Sequence, residues 1–498
     1  MSDLAIYRTE DIRRIEQCAA ALDQPPALME RAGLAAAELA RERFLSAGGC
    51  VLVLAGPGNN GGDGFVLARH LKAWWFDVIV VFTGERAKLS AEAGEAYDAW
   101  VAVGGRVERD FPRATRIELI VDALFGIGLE RDLVGRYQEL VQAVNAHAAP
   151  VLALDIPSGL HADSGRVLGC CVRADCTVTF IACKPGLVTL DGPDNCGEIV
   201  VRDLGLDAES LLPARGHLIT ASALARALRP RPRNSHKGTF GNVVVIGGAE
   251  GMTGAALLAG RGALLCGAGR VYLGLLDRAA PSLDLVQPEL MLRRASEVVE
   301  LDHQACLVVG PGLGRSDAAK ALLAQAIERE IPLVLDADAL NLLGADAALH
   351  PLCARRASPT LLTPHPAEAA RLLQCSIATV QRDRVAAALA LSARFHACTA
   401  LKGVGTVCAG HDGRWQINTS GNPGLASAGM GDVLSGILGA LLSQGATAES
   451  AIMAGVYLHG AASDELRADH GGPVGMTATE VAHTARAILN RAVYSPAG

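Results

Sequence analysis

The sequence predicts two α/β domains, the first of them doubly wound around a parallel sheet. Short runs that are apolar at every position alternate with helical stretches, and this pattern stops around residues 204–240 and restarts at Asn242. Runs of this kind indicate strands buried on both faces, and their alternation with helices is typical of βαβ units. The 498 residues accommodate such domains at roughly 150 residues each.

The N-terminal half begins with two predicted helices. Thr9 is expected to cap the first, and the second follows Pro25-Pro26. The strands predicted after them are Val51–Ala55, Val78–Phe82, Leu119–Val121 and Val151–Leu154.

The segment between the two halves is rich in proline and basic residues, notably at 229–233, and has no apolar periodicity. It is therefore predicted to be a linker and the entry to a new domain. The predicted domains are residues 1–215 and 225–498. The strands predicted in the second are Val243–Ile246, Cys306–Val309, Leu333–Leu335, Thr360–Leu362 and Ala400–Leu401.

Composition excludes several classes of function. A net charge of −7 gives no broad electrostatic surface for nucleic acid or an anionic membrane, and 4% aromatic residues disfavour stacked single-stranded nucleic acid. The N-terminus lacks the apolar region of a signal peptide, and no apolar run reaches about 18 residues. We therefore expect no membrane span.

Thirteen cysteines occur without any CxxC motif. Five of them cluster at 170, 171, 176, 183 and 196, in a spacing that matches no common zinc ligand set. We expect buried free thiols rather than metal ligands, and hence a reducing, cytoplasmic location.

In the N-terminal half, polar residues follow three predicted strands. Asn60 lies in the glycine-rich run 56–64, Asp122 ends the third strand, and Asp155 and Ser158 follow the fourth. Because ligands of open α/β sheets bind beyond the carboxyl ends of the strands, these side chains are expected to converge. Gly56, Gly58 and Gly61 satisfy GxGxxG, but a tight turn without a ligand gives the same pattern. A dehydrogenase is disfavoured because the acid expected after the next strand, Glu85, is poorly placed.

In the C-terminal half, Gly429-Met-Gly-Asp432 precedes a helical pattern. The free N–H groups of such a helix start form an anion hole for a transferring phosphoryl group, with Asp432 placed to accept a proton from a hydroxyl. The alternative is an aspartate that only stabilises the helix dipole. The chain contains no P-loop, HExxH or GxSxG motif.

The motifs GPGNNGGDG, ALFGIGLER and LDIPSG, in this order, make residues 1–215 similar to the epimerase domain of NAD(P)H-hydrate repair enzymes. The resemblance implies a Rossmann-like fold, a hydrated NAD(P)H substrate and a potassium ion. The implied substrate contacts are Asn59, Asn60, Gly61, Gly62, Asp63, Gly126, Ile127, Gly128, Leu129, Glu130 and the catalytic Asp155. The implied potassium ligands are Asn60, Asp122 and Ser158, whose oxygen donors suit a hard cation. Lys184 is left open between a site residue and a surface lysine.

The motifs GPGLG, LDADALN, LTPHPAE, LKGVGT and NPGLASAGMGDVLSG make residues 225–495 similar to nucleotide-dependent NAD(P)H-hydrate dehydratases of the ribokinase-like superfamily. The resemblance assigns Lys402, Gly403, Val404, Gly405, Thr406 and Gly431 to the nucleotide. It assigns Ala255, Gly312, His365 and the catalytic Asp432 to the hydrated substrate. Asp336 and Asp338 are interpreted as magnesium-binding through water or as structural, the structural role being favoured for Asp336.

The resemblance implies a bifunctional enzyme that epimerises the R and S forms of hydrated NADH or NADPH and dehydrates the S form. Its expected cofactors are K⁺ in the first domain and Mg²⁺ with ADP or ATP in the second, ADP being favoured, and we expect a homo-oligomer. One alternative is a ribokinase-like vitamin or sugar kinase with a fused ligand-binding domain. Another is a first half that is a non-enzymatic binding or scaffold module.

Overall fold

The computed structural model describes residues 4–112, 116–299, 301 and 305–494. They divide into two compact units, Ala5–Arg215 and the residues from Gly216 onward. Each unit has its own buried apolar core. Among the described residues, no helix is long and apolar enough to cross a membrane.

The first unit contains a seven-stranded parallel sheet. The seven strands of this sheet are β2 (Cys50–Ala55), β3 (Asp77–Phe82), β4 (Val107–Glu108), β5 (Leu119–Ala123), β6 (Val151–Leu154), β7 (Cys176–Phe180) and β8 (Glu198–Arg202). A two-residue strand, β1 (Ala5–Ile6), precedes them in the chain. Its helices are α1 (Thr9–Ala20), α2 (Leu28–Arg43), α3 (Asn59–Ala73), α4 (Ala91–Ala102), α5 (Arg136–Asn145), α6 (Pro185–Val188), α7 (Gly192–Asn195) and α8 (Ala208–Leu211), with a 3₁₀ turn at Arg86–Lys88. The sheet order is β4-β3-β2-β5-β6-β7-β8.

The four strands predicted in this unit are confirmed. Three of them, β2, β5 and β6, are buried at every position. Strand β7 was not predicted, since threonines interrupt its apolar run. Thr177 and Thr179 are nonetheless fully buried. The Thr177 hydroxyl donates to the Cys196 carbonyl at 2.7 Å, which satisfies it inside the sheet. Thr9 does not cap α1 as predicted: it is the first helical residue, and its hydroxyl donates to Asp163 at 3.1 Å.

The second unit contains a larger mixed sheet. Its strands are β9 (Gly216–Leu218), β10 (Asn242–Gly247), β11 (Arg270–Leu275), β12 (Met291–Arg294), β13 (Cys306–Val309), β14 (Leu333–Leu335), β15 (Thr360–Leu362), β16 (Cys398–Leu401), β17 (Thr406–Ala409) and β18 (Trp415–Asn418). They run in the order β9-β18-β17-β16-β15-β14-β13-β10-β11-β12. The β16–β17 and β17–β18 pairs are antiparallel and the other pairs are parallel.

Helices and two 3₁₀ turns, Lys237–Phe240 and Pro423–Leu425, connect these strands. The helices are α9 (Ser222–Ala227), α10 (Thr253–Leu265), α11 (Ala295–Val298), α12 (Asp317–Glu328), α13 (Ala337–Ala345), α14 (Leu349–Ala354), α15 (Pro366–Leu373), α16 (Ile377–Arg382), α17 (Arg384–Phe395), α18 (Met430–Ser443), α19 (Ala448–His470) and α20 (Ala478–Tyr494). The five strands predicted here are confirmed. The antiparallel hairpin of β17 and β18 was not predicted.

Part of the segment that the sequence predicts as a linker is folded. Strand β9 pairs in parallel with β18, and Ala223 and Leu224 of α9 lie in the core of the second unit. Both elements are too short to show a periodicity in the sequence, and neighbouring proline and arginine residues obscure them.

Both sheets have a point where the strand order reverses, between β2 and β5 in the first unit and between β10 and β13 in the second. At such a point the loops at the carboxyl ends of adjacent strands leave in opposite directions and open a crevice, which is the usual ligand site of α/β sheets. The glycine-rich run 56–64 follows β2, and the Gly310–Gly314 loop follows β13. The fold therefore positions one candidate site in each unit.

Helices α10 and α18 pack closely in the second unit because glycines face the contact. A Cβ added at Gly436 would overlap the carbonyl oxygen of Ala259. We expect Gly436→Ala to cost about 1–3 kcal/mol, as overpacking does, and to lower the thermal unfolding midpoint by several degrees. Gly254→Ala is the matched control, because Gly254 also lies in a helix but its Cβ would meet open space. An equal loss of stability in both variants, measured by circular dichroism, would contradict this account.

Candidate active sites

The first unit contains a cavity of about 760 Å³ at the carboxyl edge of its sheet. Loops after β2, β5, β6 and β7 line it. Of the residues singled out from the sequence, it is lined by Asn59, Asn60, Asp63, Gly126, Ile127, Gly128, Leu129, Asp155 and Lys184. Gly61 and Gly62 are instead buried in the first turn of α3, and Glu130 is exposed outside the cavity lining.

Asp155 and Lys184 form a buried ion pair in this cavity. The Lys184 ammonium is 1% exposed and lies 2.5 Å from Asp155 Oδ1. It also donates to the Thr179 hydroxyl and to the Phe180 carbonyl, both at 2.8 Å. All three ammonium protons are thus engaged, and Lys184 holds the carboxylate rather than facing solvent. Asp155 has a φ of 62°, a left-handed conformation that is uncommon for a residue other than glycine and often marks functional sites.

Two further acids face the same cavity. Burial raises the pKa of Asp63 well above its usual value, and the charges of Asp155 and Glu16 raise it further. Burial and then the Asp155 charge also raise the pKa of Glu16, which lies on α1. The cavity thus combines a carboxyl group whose pKa is raised with a carboxylate held by lysine. Glu16 was not predicted, because nothing in the sequence distinguishes it from a solvent-facing residue of α1.

Asp122 and Ser158 lie directly against each other. The Ser158 hydroxyl and backbone N–H donate to the two carboxylate oxygens of Asp122 at 2.6 and 2.7 Å. Both residues are 0% exposed, and burial raises the pKa of Asp122 to about 6 despite these bonds. Asn60 is 8% exposed, and neither atom of its side-chain amide has a hydrogen-bond partner. A buried amide of this kind lacks the partner that such groups nearly always have, which points to a missing ligand.

In the second unit, a buried ion pair lies beneath the start of α18. Lys402 Nζ lies 2.8 Å from Asp336 Oδ1, and the Ser435 hydroxyl donates to Asp336 Oδ2 at 2.6 Å. Burial alone would raise the pKa of Asp336, but the charge and hydrogen bond of Lys402 and the bond from Ser435 lower it. Asp336 thus carries a negative charge that is paired with Lys402 and hydrogen-bonded by Ser435. Ser435 was not predicted.

The amino end of α18 combines a free helix terminus with a carboxylate. Gly429 precedes the helix in a left-handed conformation, and no side chain caps the terminus. A Cβ at Gly431 would lie 3.3 Å from Lys402 Nζ, so the lysine reaches the helix start. Burial raises the pKa of Asp432 to about 7, with a further contribution from the Asp336 charge and an opposing one from Lys402. This pKa suits a general base at neutral pH.

The loop between β16 and β17 carries Lys402, Gly403, Val404, Gly405 and Thr406. The Thr406 hydroxyl closes it by donating to the Gly403 carbonyl at 3.0 Å, while Gly403 and Val404 are exposed. Arg384 is 2% exposed and donates hydrogen bonds to the carbonyls of Leu401 and Lys402 at 3.1 and 3.3 Å. These bonds hold the start of the loop in place. Arg384 was not predicted, because it lies in α17, outside every recognised motif.

His365 caps α15 and packs beside Glu368. Its Nδ1 accepts the backbone N–H of Ala367 at 3.1 Å, and its backbone N–H donates to Glu368 at 2.8 Å. Burial, then the charge of Lys402, lowers the pKa of His365, and burial raises that of Glu368 to about 7. The charges of the Lys402–Asp336 pair therefore influence the pKa values of both His365 and Glu368.

Ala255 and Gly312 meet at the reversal point of the second sheet. A Cβ at Gly312, which has a φ of 59°, would lie 3.2 Å from the Ala255 Cβ. Ala255 is in the first turn of α10, whose next turn brings Leu258 against Gly429 at the start of α18. The structure thus connects both predicted substrate-contact positions with the start of α18.

The second unit therefore combines an anion-binding helix start, a lysine and a carboxylate with a pKa near 7. This combination defines a class of protein: an α/β enzyme that transfers a phosphoryl group to a hydroxyl. The first unit adds a cavity suited to proton transfer.

Comparisons with known proteins find a matching family model for each unit. Residues 243–486 match the family model described as NAD(P)H-hydrate dehydratase, and residues 26–186 match that of the YjeF-related protein N-terminus. The bifunctional NAD(P)H-hydrate repair enzyme Nnr of Escherichia coli is 41% identical over 497 residues, covering 97% of this chain and 94% of that protein. The enzyme of the same name from Coxiella burnetii is 39% identical over 495 residues, covering 97% and 99%.

A crystal structure of the ADP/ATP-dependent NAD(P)H-hydrate dehydratase from Bacillus subtilis, co-crystallised with ATP and Mg²⁺, is also similar. It has 30% identity and a TM-score of 0.50, covering 55% of this chain and 98% of that one. The chain belongs to the family of bifunctional NAD(P)H-hydrate repair enzymes, which join an epimerase part to a dehydratase part.

The Asp155–Lys184 pair gives a prediction about stability. Lys184→Met leaves a buried carboxylate without its partner, so we expect a loss of about 3–5 kcal/mol. The double variant Lys184→Met/Asp155→Asn should recover much of this loss, because no charge is left unpaired. Lys88→Met is the control, since the Lys88–Glu85 pair is exposed and such pairs contribute at most about 1 kcal/mol. Unfolding midpoints measure all three, and an equal effect of Lys184→Met and Lys88→Met would refute the argument.

Proposed function

We propose that this chain repairs hydrated NAD(P)H in two steps. Residues 1–215 interconvert the R and S epimers of NADHX and NADPHX, and residues 225–498 dehydrate the S epimer at the expense of a nucleotide. The single observation that carries this proposal is the Asp432 carboxylate, with a pKa of about 7, at the uncapped amino end of α18. The carboxylate is the base, and the amino end of α18 beside it is the anion site. The family to which the chain belongs indicates the substrate.

In the dehydratase, Asp432 removes the proton of the hydroxyl at C6 of the hydrated ring. That oxygen then accepts the terminal phosphoryl group of the nucleotide, which converts a poor leaving group into phosphate. The N–H groups at Gly431 and Asp432 stabilise the charge of the moving phosphoryl group. The ring nitrogen lone pair expels phosphate, and loss of a proton from C5 restores the double bond of NAD(P)H.

Lys402, Gly403, Val404, Gly405, Thr406 and Gly431 bind the nucleotide in this proposal. Lys402 is held by Asp336 but keeps about a quarter of its side chain exposed, so it can still face a phosphate. Ala255, Gly312 and His365 contact the hydrated substrate. Because Nδ1 of His365 accepts the Ala367 N–H, Nε2 is the donor of the neutral ring, and it lies 3.2 Å from Glu368 Oε1.

Mg²⁺ would enter with the nucleotide. Asp336 is occupied by Lys402 and Ser435, and Glu368 bonds the backbone of His365. The ion would therefore be held mainly by phosphate oxygens and water, which is common for Mg²⁺ and would neutralise phosphate charge. We favour ADP over ATP as donor on the sequence resemblance to fused bacterial enzymes, whereas the similar Bacillus subtilis enzyme is described as ADP/ATP-dependent. Dehydration rates with each nucleotide test this choice.

In the epimerase, Asp155 takes the proton of the C6 hydroxyl as the bond from C6 to the ring nitrogen breaks and the oxygen becomes a carbonyl. The nitrogen then re-forms the bond on the other face of C6 and the proton returns to the oxygen, while Lys184 positions the Asp155 carboxylate. Asn59, Asn60, Gly126, Ile127, Gly128 and Leu129 line the same cavity and bind the dinucleotide. Gly61, Gly62, Asp63 and Glu130 complete the proposed contacts: Asp63 through its carboxyl group, Gly61 and Gly62 through their backbone, and Glu130 at the outer edge.

A potassium ion fits the residues beneath this cavity. Asn60 offers a buried amide oxygen without a partner, Asp122 offers a carboxylate oxygen at the end of β5, and Ser158 offers a hydroxyl oxygen in the loop that follows β6. The ion would supply a positive charge that fixes these two loops. We also propose a cytoplasmic location, supported by thirteen free thiols, and a homo-oligomer, supported by the exposed apolar side chains of Leu285 and Val286.

The pKa of Asp432 predicts the pH profile of the dehydratase. The base must be ionised, so the rate should fall about tenfold per pH unit below pH 7 and level off above it. Asp432→Asn keeps the shape but removes the base, and should lower the rate about a hundredfold to ten-thousandfold. NADH absorbance measures recovery from S-NADHX. Epimerisation by the same variant is the control and should be unchanged. Near-normal NADH recovery by Asp432→Asn would exclude the base role.

The orphaned amide of Asn60 predicts the potassium dependence of the epimerase. Asn60→Ala removes one proposed ligand without breaking a hydrogen bond inside the protein. We expect weaker activation by K⁺, with the rate partly restored at higher K⁺ concentration. Na⁺ at the same ionic strength is the control for a general salt effect. An unchanged K⁺ titration in this variant would remove Asn60 from the ligand set.

A further inference from the structure

A cysteine, a histidine and a glutamate meet in the second unit, outside both candidate active sites. Cys398 begins β16, His411 lies in the turn between β17 and β18, and Glu449 is in the first turn of α19. One ligand atom from each lies within 4.8 Å of the other two. We call this group the Cys398 cluster.

The distances suit a small cation with tetrahedral coordination. The Cys398 sulfur lies 3.6 Å from Glu449 Oε1. Zinc bonds of about 2.0–2.3 Å imply separations of roughly 3.3–3.8 Å between ligands in a tetrahedron. His411 and Glu449 are exposed, so their side chains can close the remaining gap by rotation, while the buried Cys398 is fixed in the strand.

The chemistry of the cluster also favours a cation. Cys171 and Cys306 direct their thiols to backbone carbonyls, but Cys398 faces a carboxylate. A thiolate at Cys398 would face the Glu449 carboxylate, and the two negative charges would repel each other. A divalent cation removes that repulsion, since one thiolate and one carboxylate balance its charge. The His396 ring lies beside the cluster, with its centroid 4.5 Å from that of His411.

We propose that Cys398, His411 and Glu449 bind a borderline divalent cation of the zinc class, with water in the fourth position. Sulfur and nitrogen donors select such ions over Mg²⁺, which prefers oxygen ligands alone. Binding converts the Cys398 thiol to a metal-bound thiolate and releases one proton to solvent. The cation joins α19 to both strands that flank the loop 402–405, at the ends of those strands remote from the loop.

Cobalt titration of the full-length chain, first freed of metal by a chelator, tests the proposal. Co²⁺ should produce one near-ultraviolet thiolate-to-metal band per chain, and Zn²⁺ should abolish it. Cys398→Ala should lose the band. The surface substitutions His411→Asn and Glu449→Gln should weaken binding at least about tenfold, since even losing an outer partner of a ligand costs 10- to 100-fold. Zn²⁺ should also raise the unfolding midpoint of the wild type but not of Cys398→Ala.

Two thiol controls exclude binding elsewhere. Cys18→Ser removes an exposed cysteine, and Cys408→Ala removes a buried one on the adjacent strand β17. Both should bind Co²⁺ as the wild type does. The proposal is overturned if the wild type shows no thiolate band, if the band survives in Cys398→Ala, or if either control loses it. It is also overturned if His411→Asn and Glu449→Gln bind with unchanged affinity.

Discussion

The ion pair between Asp336 and Lys402 is the constraint on which the dehydratase site depends. It joins the end of β14 to the end of β16, and Ser435 extends it to α18. The Ser435 hydroxyl also lies 3.0 Å from the Gly431 carbonyl, so the first turn of α18 is fixed to the same anion. Buried pairs add little net stability, because desolvation offsets their attraction, but breaking one is costly. The pair therefore fixes geometry rather than adding stability.

The first unit also contains a buried ion pair between a lysine and an aspartate, at the edge of its own sheet. Lys184 pairs with Asp155 near the carboxyl ends of β6 and β7, as Lys402 pairs with Asp336 near those of β14 and β16. In each site one carboxylate is paired with a lysine, while a second, Asp63 or Asp432, has a raised pKa. Such separated environments allow one site to hold a charge and a proton carrier at neutral pH.

The sequence predicted strands and motifs well, but not the residues that hold the motifs. Strands β2, β6, β10 and β13 were predictable because both their faces are buried and every position is apolar. Strand β7 was not, because its threonines find hydrogen bonds that exist only in the folded sheet. Similarly, Asp432 was recognisable from its helix start, whereas Ser435 and Arg384 act through contacts with distant segments.

Contacts with distant segments also explain why the pKa of Asp432 differs from the one that its position at a helix start implies. A helix start alone lowers the pKa of a nearby carboxylate, since the N–H groups favour negative charge. Here burial and the charge of Asp336 reverse that effect, and Lys402 opposes them only in part. The pKa of Asp432 is therefore set mainly by burial and by charged groups at the ends of β14 and β16, and not by the helix start that marks this residue in the sequence.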